Sequence, residues 1–130
     1  MKRKDFIKSS SLALGGASLA TQFSFASPTV LGSNERLRIG AIGINGMGWS
    51  DTKSLLKING VELVAICDVD QNVIEKRKKE LGAKGKKVRT YSDYRDLLDQ
   101  KDIDAVVIGS PDHWHALMMI HASEAGKHIY

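Results

Sequence analysis

The chain has 130 residues, 42% of them hydrophobic and 26% charged, which suits one ordinary soluble domain. Its net charge of +4 suggests nucleic acid until it is located: Lys2, Arg3, Lys4 and Lys8 stand against Asp5 at the extreme N-terminus. Beyond residue 26, fifteen basic residues face fourteen acidic ones, so no acidic partner is implied.

The first 26 residues, "MKRKDFIKSSSLALGGASLATQFSFA", have a basic start, a mildly apolar middle and small residues at Ser24 and Ala26, the order of an export signal peptide. The middle is too short and too polar for a permanent membrane anchor. "RKDFIK" resembles a twin-arginine signal with Lys4 in the second arginine position, which leaves the route open and makes a periplasmic or otherwise exported protein the expectation. A plain N-terminal arm is the alternative. Residues 27–36, "SPTVLGSNER", read as a linker, and residues 37–130 as one domain.

From Leu37 onward the hydrophobic period alternates between strand and helix. "LRIGAI" predicts a buried strand, Met47 to Lys57 a helix, "INGV" a turn and "VELVAICDV" a second buried strand. Cys67, the only cysteine, lies inside that run; it cannot form an intrachain disulfide, fits either redox compartment and reads as core packing. A polar helix follows from Asp70 to about Leu81, and the basic stretch "EKRKKELGAKGKKVR" on it and its exit loop reads as a solvated face. A short strand is expected at Val88 to Tyr91, then a short helix in "SDYRDLLDQ" with a serine cap. "DAVVIG" predicts another apolar strand, "SPDHWHALMMIHASEAG" a helix with a glycine stop, and "HIY" the opening of a fifth strand, cut at Tyr130. Strands apolar throughout, alternating with helices, indicate an α/β fold: a doubly wound parallel sheet of Rossmann type, truncated in its fifth strand.

"GINGMG", Gly43 to Gly48, therefore falls between a buried strand and a helix. A glycine-rich turn there turns backbone N–H groups and the positive helix end toward a phosphate. The dinucleotide signature wants glycines at the first, third and sixth places, and these hold Gly43, Asn45 and Gly48, with a further glycine at Gly46. Asn45 tolerates positive φ, and Gly46 leaves the backbone bare. Asp68 ends the second strand 25 residues beyond Gly43, where a carboxylate accepts hydrogen bonds from a ribose diol. A helix cap is the other reading of Asp68, a role that Asp70 would fill equally well.

In "GSPDHWHA", Ser110 reads as a helix cap, Pro111 as the first helical residue and Asp112 as a complement to the helix dipole. His113, Trp114 and His115 are left over. Two histidines two apart on a helix diverge and no third ligand is evident, so a metal is not expected. They are expected instead to border cofactor and substrate, with His113 and His115 as weak catalytic candidates. His121 and His128 read as packing or surface residues.

The combination of "RIGAIGINGMG", "VAICDVD", "YSDYRDLLD" and "DAVVIGSPDHWHALMMIHASEAGKHIY" resembles the glucose-fructose oxidoreductase, inositol dehydrogenase and rhizopine-catabolism (Gfo/Idh/MocA) oxidoreductases over Arg36 to Tyr130. The resemblance implies an NAD(P)-binding domain; Asp68 would repel a 2′-phosphate and Val69 to Asn72 offer no arginine to bind one, so NAD is expected over NADP. Gly43, Asn45, Gly46, Met47 and Gly48 would surround the pyrophosphate and Asp68 would hold the adenosine ribose. Ser110, Pro111 and His115 match the family's Thr-Pro-Asn-x-x-His segment on the nicotinamide side, with Asp112 replacing the asparagine. Family members continue with a Glu-Lys-Pro segment carrying a catalytic lysine and with a substrate domain, so the 130 residues alone are expected to be inactive. The implied reaction is hydride transfer between nicotinamide and a sugar, polyol or derivative, in a protein with no nucleic-acid partner and compatible with a homo-oligomer. Two alternatives stand beside it: an NAD-dependent glycosidase using transient oxidation, and a non-catalytic nucleotide-binding module. A methyltransferase would also place a glycine loop and an acid here, but "SPDHWH" and "AGKHIY" do not suit one.

Overall fold

The computed structural model describes residues 36–130. The expected signal peptide and all but the last residue of the linker lie outside the described residues. Five strands alternate with four helices: β1 (Leu37–Ile42), α1 (Gly46–Leu55), β2 (Val61–Cys67), α2 (Gln71–Gly82), β3 (Arg89–Tyr91), α3 (Tyr94–Leu98), β4 (Ala105–Ile108), α4 (Asp112–Glu124) and β5 (His128–Ile129). The strands form a parallel sheet in the order β3-β2-β1-β4-β5. Strand order reverses between β1 and β4, and such a reversal opens a crevice at the carboxyl ends of the strands.

Both faces of the sheet are covered, as apolar strands require. On one face Ile39, Ala41, Leu63 and Val107 pack with Trp49 of α1 and Leu81 of α2; on the other, Ile42, Ala65 and Val106 pack with Leu97 of α3 and Met118 of α4. The β1–β2 register passes from Ile39↔Leu63 to Gly40↔Ala65, skipping Val64. That extra residue breaks the alternation, so Val64 and Ala65 both serve the α3–α4 face.

Helix boundaries differ from expectation where capping chemistry decides them. α1 ends at Leu55, two residues early, and the chain turns at Gly60 with φ of 87°. Asp70 caps α2, accepting from the Asn72 N–H at 2.8 Å. α3 is capped by Asp93 rather than Ser92: its carboxylate accepts from the Arg95 N–H at 2.9 Å and also binds the Arg95 guanidinium, a stronger acceptor role than a hydroxyl can fill. Ser110 does not cap α4, nor is Pro111 its first residue. Pro111 keeps a strand-like ψ of 149°, so the first turn begins at Asp112 and Ser110 stands one residue too early to reach it. Gly126, at φ of 70°, follows the end of α4.

Candidate functional site

The segments leaving β1, β2, β3 and β4 converge on one cavity of about 920 Å³ at the carboxyl edge of the sheet, within the range of cofactor pockets. Gly43, Asn45 and Gly46 form one side, Asp68 and Val69 the next, and Ser92 to Arg95 and Gly109 to Pro111 the rest. Trp114, Leu117, Met118 and His121, which recur along one face of α4, make an apolar wall.

Three glycines set how close the loop lies to the sheet. A Cβ on Gly43 would stand 2.7 Å from the Gly109 carbonyl and from the Ser110 nitrogen; one on Gly48 would strike the Gly43 carbonyl oxygen and Gly109 Cα; one on Gly109 would strike Gly48 Cα. No side chain fits at any of the three, so α1 starts hard against the ends of β1 and β4. Gly109 belongs to no glycine motif in the sequence. The available signal was its place at the end of "DAVVIG", beside the strand that ends at Gly43. Gly46 is different in kind. Its φ is 51° and a Cβ there would meet nothing within 4 Å, so what it supplies is bare backbone facing the cavity.

Asn45 is corrected. It is extended, with φ of −97°, and its side chain accepts from the Gly46 N–H at 3.1 Å as the cap of α1. Gly43 and Gly46 carry the positive φ values instead, because the bends fall on residues without Cβ. Met47 is exposed on the first turn and Gly48 is buried beneath it; neither lines the cavity.

Asp68 does not cap α2. One carboxylate oxygen accepts from the Ile44 N–H at 2.9 Å and the other from the Asp70 N–H at 3.1 Å. A carboxylate offers about four acceptor sites, so it retains capacity toward the cavity it borders. The Ile44 carbonyl is held too, by Arg77 Nε at 3.0 Å. Arg77 also donates to Glu80 at 3.0 Å and lies 4.9 Å over the Trp49 ring, whose Nε1 donates to Glu80 at 3.3 Å. The Arg77 side chain is only 11% exposed, so the basic stretch is not solvated at this position. Burial acts to raise the Glu80 carboxyl, but hydrogen bonds from Arg77 and Trp49 outweigh it and leave the group below its ordinary value.

Hydrogen bonds from Arg95 hold Asp93 down at about 2. Burial first, then the charges of Asp68, Asp93 and Asp96, push the Cys67 thiol up to about 12. On α4, His121 Nδ1 and the Tyr94 hydroxyl are 2.8 Å apart and their rings stack. His121 therefore packs, as expected, and also borders the cavity; His128 is an exposed strand residue. Ser110 and Pro111 reach the cavity, whereas the exposed His113 and the half-buried His115 do not line it. Ser110 Oγ and His115 Nε2 are buried without a hydrogen-bond partner. Among the described residues, no three His, Cys, Asp or Glu side chains gather closely enough to hold a metal ion.

A parallel sheet with a glycine-tightened loop and an acid at the switch point defines a dinucleotide-binding Rossmann domain. Residues 37–130 match the Gfo/Idh/MocA oxidoreductase family, NAD-binding Rossmann fold, and the chain belongs to that family. It is 35% identical over 133 aligned positions to a glycosyl hydrolase family 109 protein of Shewanella pealeana, an alignment covering 95% of this chain and 29% of that protein. Among solved structures it is similar to myo-inositol 2-dehydrogenase from Lactobacillus plantarum, with 39% identity, a TM-score of 0.65, and coverage of 73% of this chain and 27% of that one. It is also similar to scyllo-inositol dehydrogenase from Lactobacillus casei with bound NAD(H) and scyllo-inositol, at 32% identity, a TM-score of 0.64 and the same coverage. The chain thus spans less than a third of each of these proteins. The cofactor of this domain is NAD, and the residues present fit it: bare backbone at Gly46, a carboxylate with spare acceptor capacity at Asp68, and an unpartnered hydroxyl at Ser110.

Proposed function

We propose that the whole protein is an NAD-dependent oxidoreductase acting on a sugar, polyol or derivative. The observation that carries this reading is the glycine-tightened loop with Asp68 hydrogen-bonded beside it at the edge of one cavity. The first-turn N–H groups of α1 from Met47 onward would receive the pyrophosphate above Gly43 and Gly48, beside the bare Cα of Gly46, with Asn45 fixing the turn by accepting from the Gly46 N–H. Asp68 would accept from the adenosine ribose, and Ser110 and Pro111 would border the nicotinamide, with His115 behind them. Bound there, NAD would supply a hydride acceptor for the C–H of a carbinol, whose hydroxyl proton would pass to a base. The family resemblance implies a lysine after "GKHIY" as that base; His113 and His115, which do not line the cavity, would then take no part in proton transfer.

The similarity to a glycosyl hydrolase favours one second reading, in which the same hydride is taken from a glycoside, the leaving group is eliminated, and the hydride is returned. Incubating the full-length protein and NAD with polyols and with aryl glycosides separates the two. Net NADH with a ketone product supports the first; free aglycone without net NADH supports the second. NAD turnover with neither class leaves neither reading standing.

Residues 1–26 would direct export, and a twin-arginine route would let the protein fold around NAD before crossing. Among the described residues, no helix is long and apolar enough to cross a membrane. N-terminal sequencing of protein from the periplasm should show Ser27 first; an intact Met1 confined to the cytosol overturns export.

A further inference from the structure

The Ile44 backbone is gripped on both sides by charged side chains from other elements, at its N–H and at its carbonyl. Its N–H donates to Asp68, and its carbonyl accepts from Arg77 Nε, 33 residues along the chain. Ile44 itself is fully buried and sits between the two cavity-lining residues Gly43 and Asn45. Arg77 is fixed in turn by Glu80 and by the Trp49 ring beneath it, so its fork has little freedom. From this arrangement we infer that Arg77 is a positioning residue for the pyrophosphate loop. It acts through the Ile44 carbonyl and does not itself touch the cofactor.

The chemistry favours this over a general packing role. The loop has glycines on either side of Ile44 and Asn45, and both glycines adopt positive φ, so its own backbone does little to hold one conformation. A planar guanidinium with a partner on each edge supplies the missing rigidity, and Arg77 is not among the residues that line the cavity. Asp68 then has two functions that depend on one geometry: the carboxylate proposed to receive the ribose also anchors the N–H of the residue whose carbonyl Arg77 holds.

The inference rests on the proposed NAD site, and the test separates their failures. In the full-length protein, calorimetric titration compares ADP-ribose, which carries the pyrophosphate, with adenosine, which does not. Arg77→Met should weaken ADP-ribose about tenfold, in line with the loss of a charge-assisted hydrogen bond, and leave adenosine within about twofold. Arg77→Lys, which can still donate to the carbonyl, should recover part of the loss. If Arg77→Met does not fold, Glu80→Gln serves instead, since it loosens the guanidinium while leaving the Ile44 bond in place; a loss of a few fold for ADP-ribose alone is expected. Equal weakening of both ligands, or wild-type ADP-ribose affinity in these variants, overturns the positioning role while the site stands. Failure of the wild-type protein to bind ADP-ribose overturns the site itself.

Discussion

Asp68 and Cys67 are chain neighbours at the cavity edge with opposite relations to charge. Asp68 accepts two backbone N–H bonds and faces the cavity as an anion. A 2′-phosphate brought beside it would meet like charge, and Val69, exposed next to it, offers no compensating cation. NAD should therefore bind at least tenfold more tightly than NADP when both are titrated against the full-length protein; tighter NADP binding removes Asp68 from its role. The Cys67 thiol, raised to about 12, stays protonated and should resist alkylation at neutral pH in the folded protein while reacting readily once unfolded. Its raised value also has a stability consequence: above about pH 9 the unfolded chain ionises and the folded one does not, so stability falls as pH rises from there toward 12. Denaturation midpoints of Cys67→Ala against the parent chain from pH 8 to 11 check this. Much of the site was legible, since Gly43, Gly46, Asp68 and Ser110 all announce themselves by type and by place at strand ends. Arg77 and Gly109 did not, because their roles come from a carbonyl and a backbone that only folding brings near them.

At the scale of elements, the strand-loop-helix unit β1–α1 concentrates two separable demands on glycine. Gly48 and Gly109 are there for close packing, whereas Gly46 is there for an open backbone at positive φ. Gly109→Ala should thus lower stability by about 2 kcal/mol or more, since backbone must move to admit the methyl group. Gly46→Val should cost about 1–2 kcal/mol in backbone strain and weaken NAD binding more severely than it weakens the fold. Thermal midpoints and NAD titrations on both variants check the contrast, and matching losses of stability and binding in the two would merge the roles. The order of strands and helices was readable because hydrophobic period and capping residues agree along most of the chain. The ends were less so: Ser92 and Ser110 look like caps, but a neighbouring carboxylate displaces one and a proline the other. The bulge at Val64 leaves no mark in "VELVAIC", since every residue from Leu63 to Cys67 is apolar and alternation there carries no information.

Over the described domain, the parallel sheet brings all four helix N-termini to one rim. Three of those positive ends are met by acids: Asp70 at α2, Asp93 and Asp96 at α3, and Asp112 at α4. α1 alone is capped by a neutral side chain and has no acid in its first turn. An approaching dianion would thus meet acids at three helix starts and a neutral cap at the fourth, a pattern that would favour one orientation of the ligand. Asn45→Asp puts that idea to the test, because aspartate is as good a cap as asparagine. The domain should melt at an unchanged or slightly higher temperature while NAD affinity falls about tenfold, most steeply at low salt. The neutrality of Asn45 is then a form of recognition by omission: the rim selects its ligand through the one charge it does not carry.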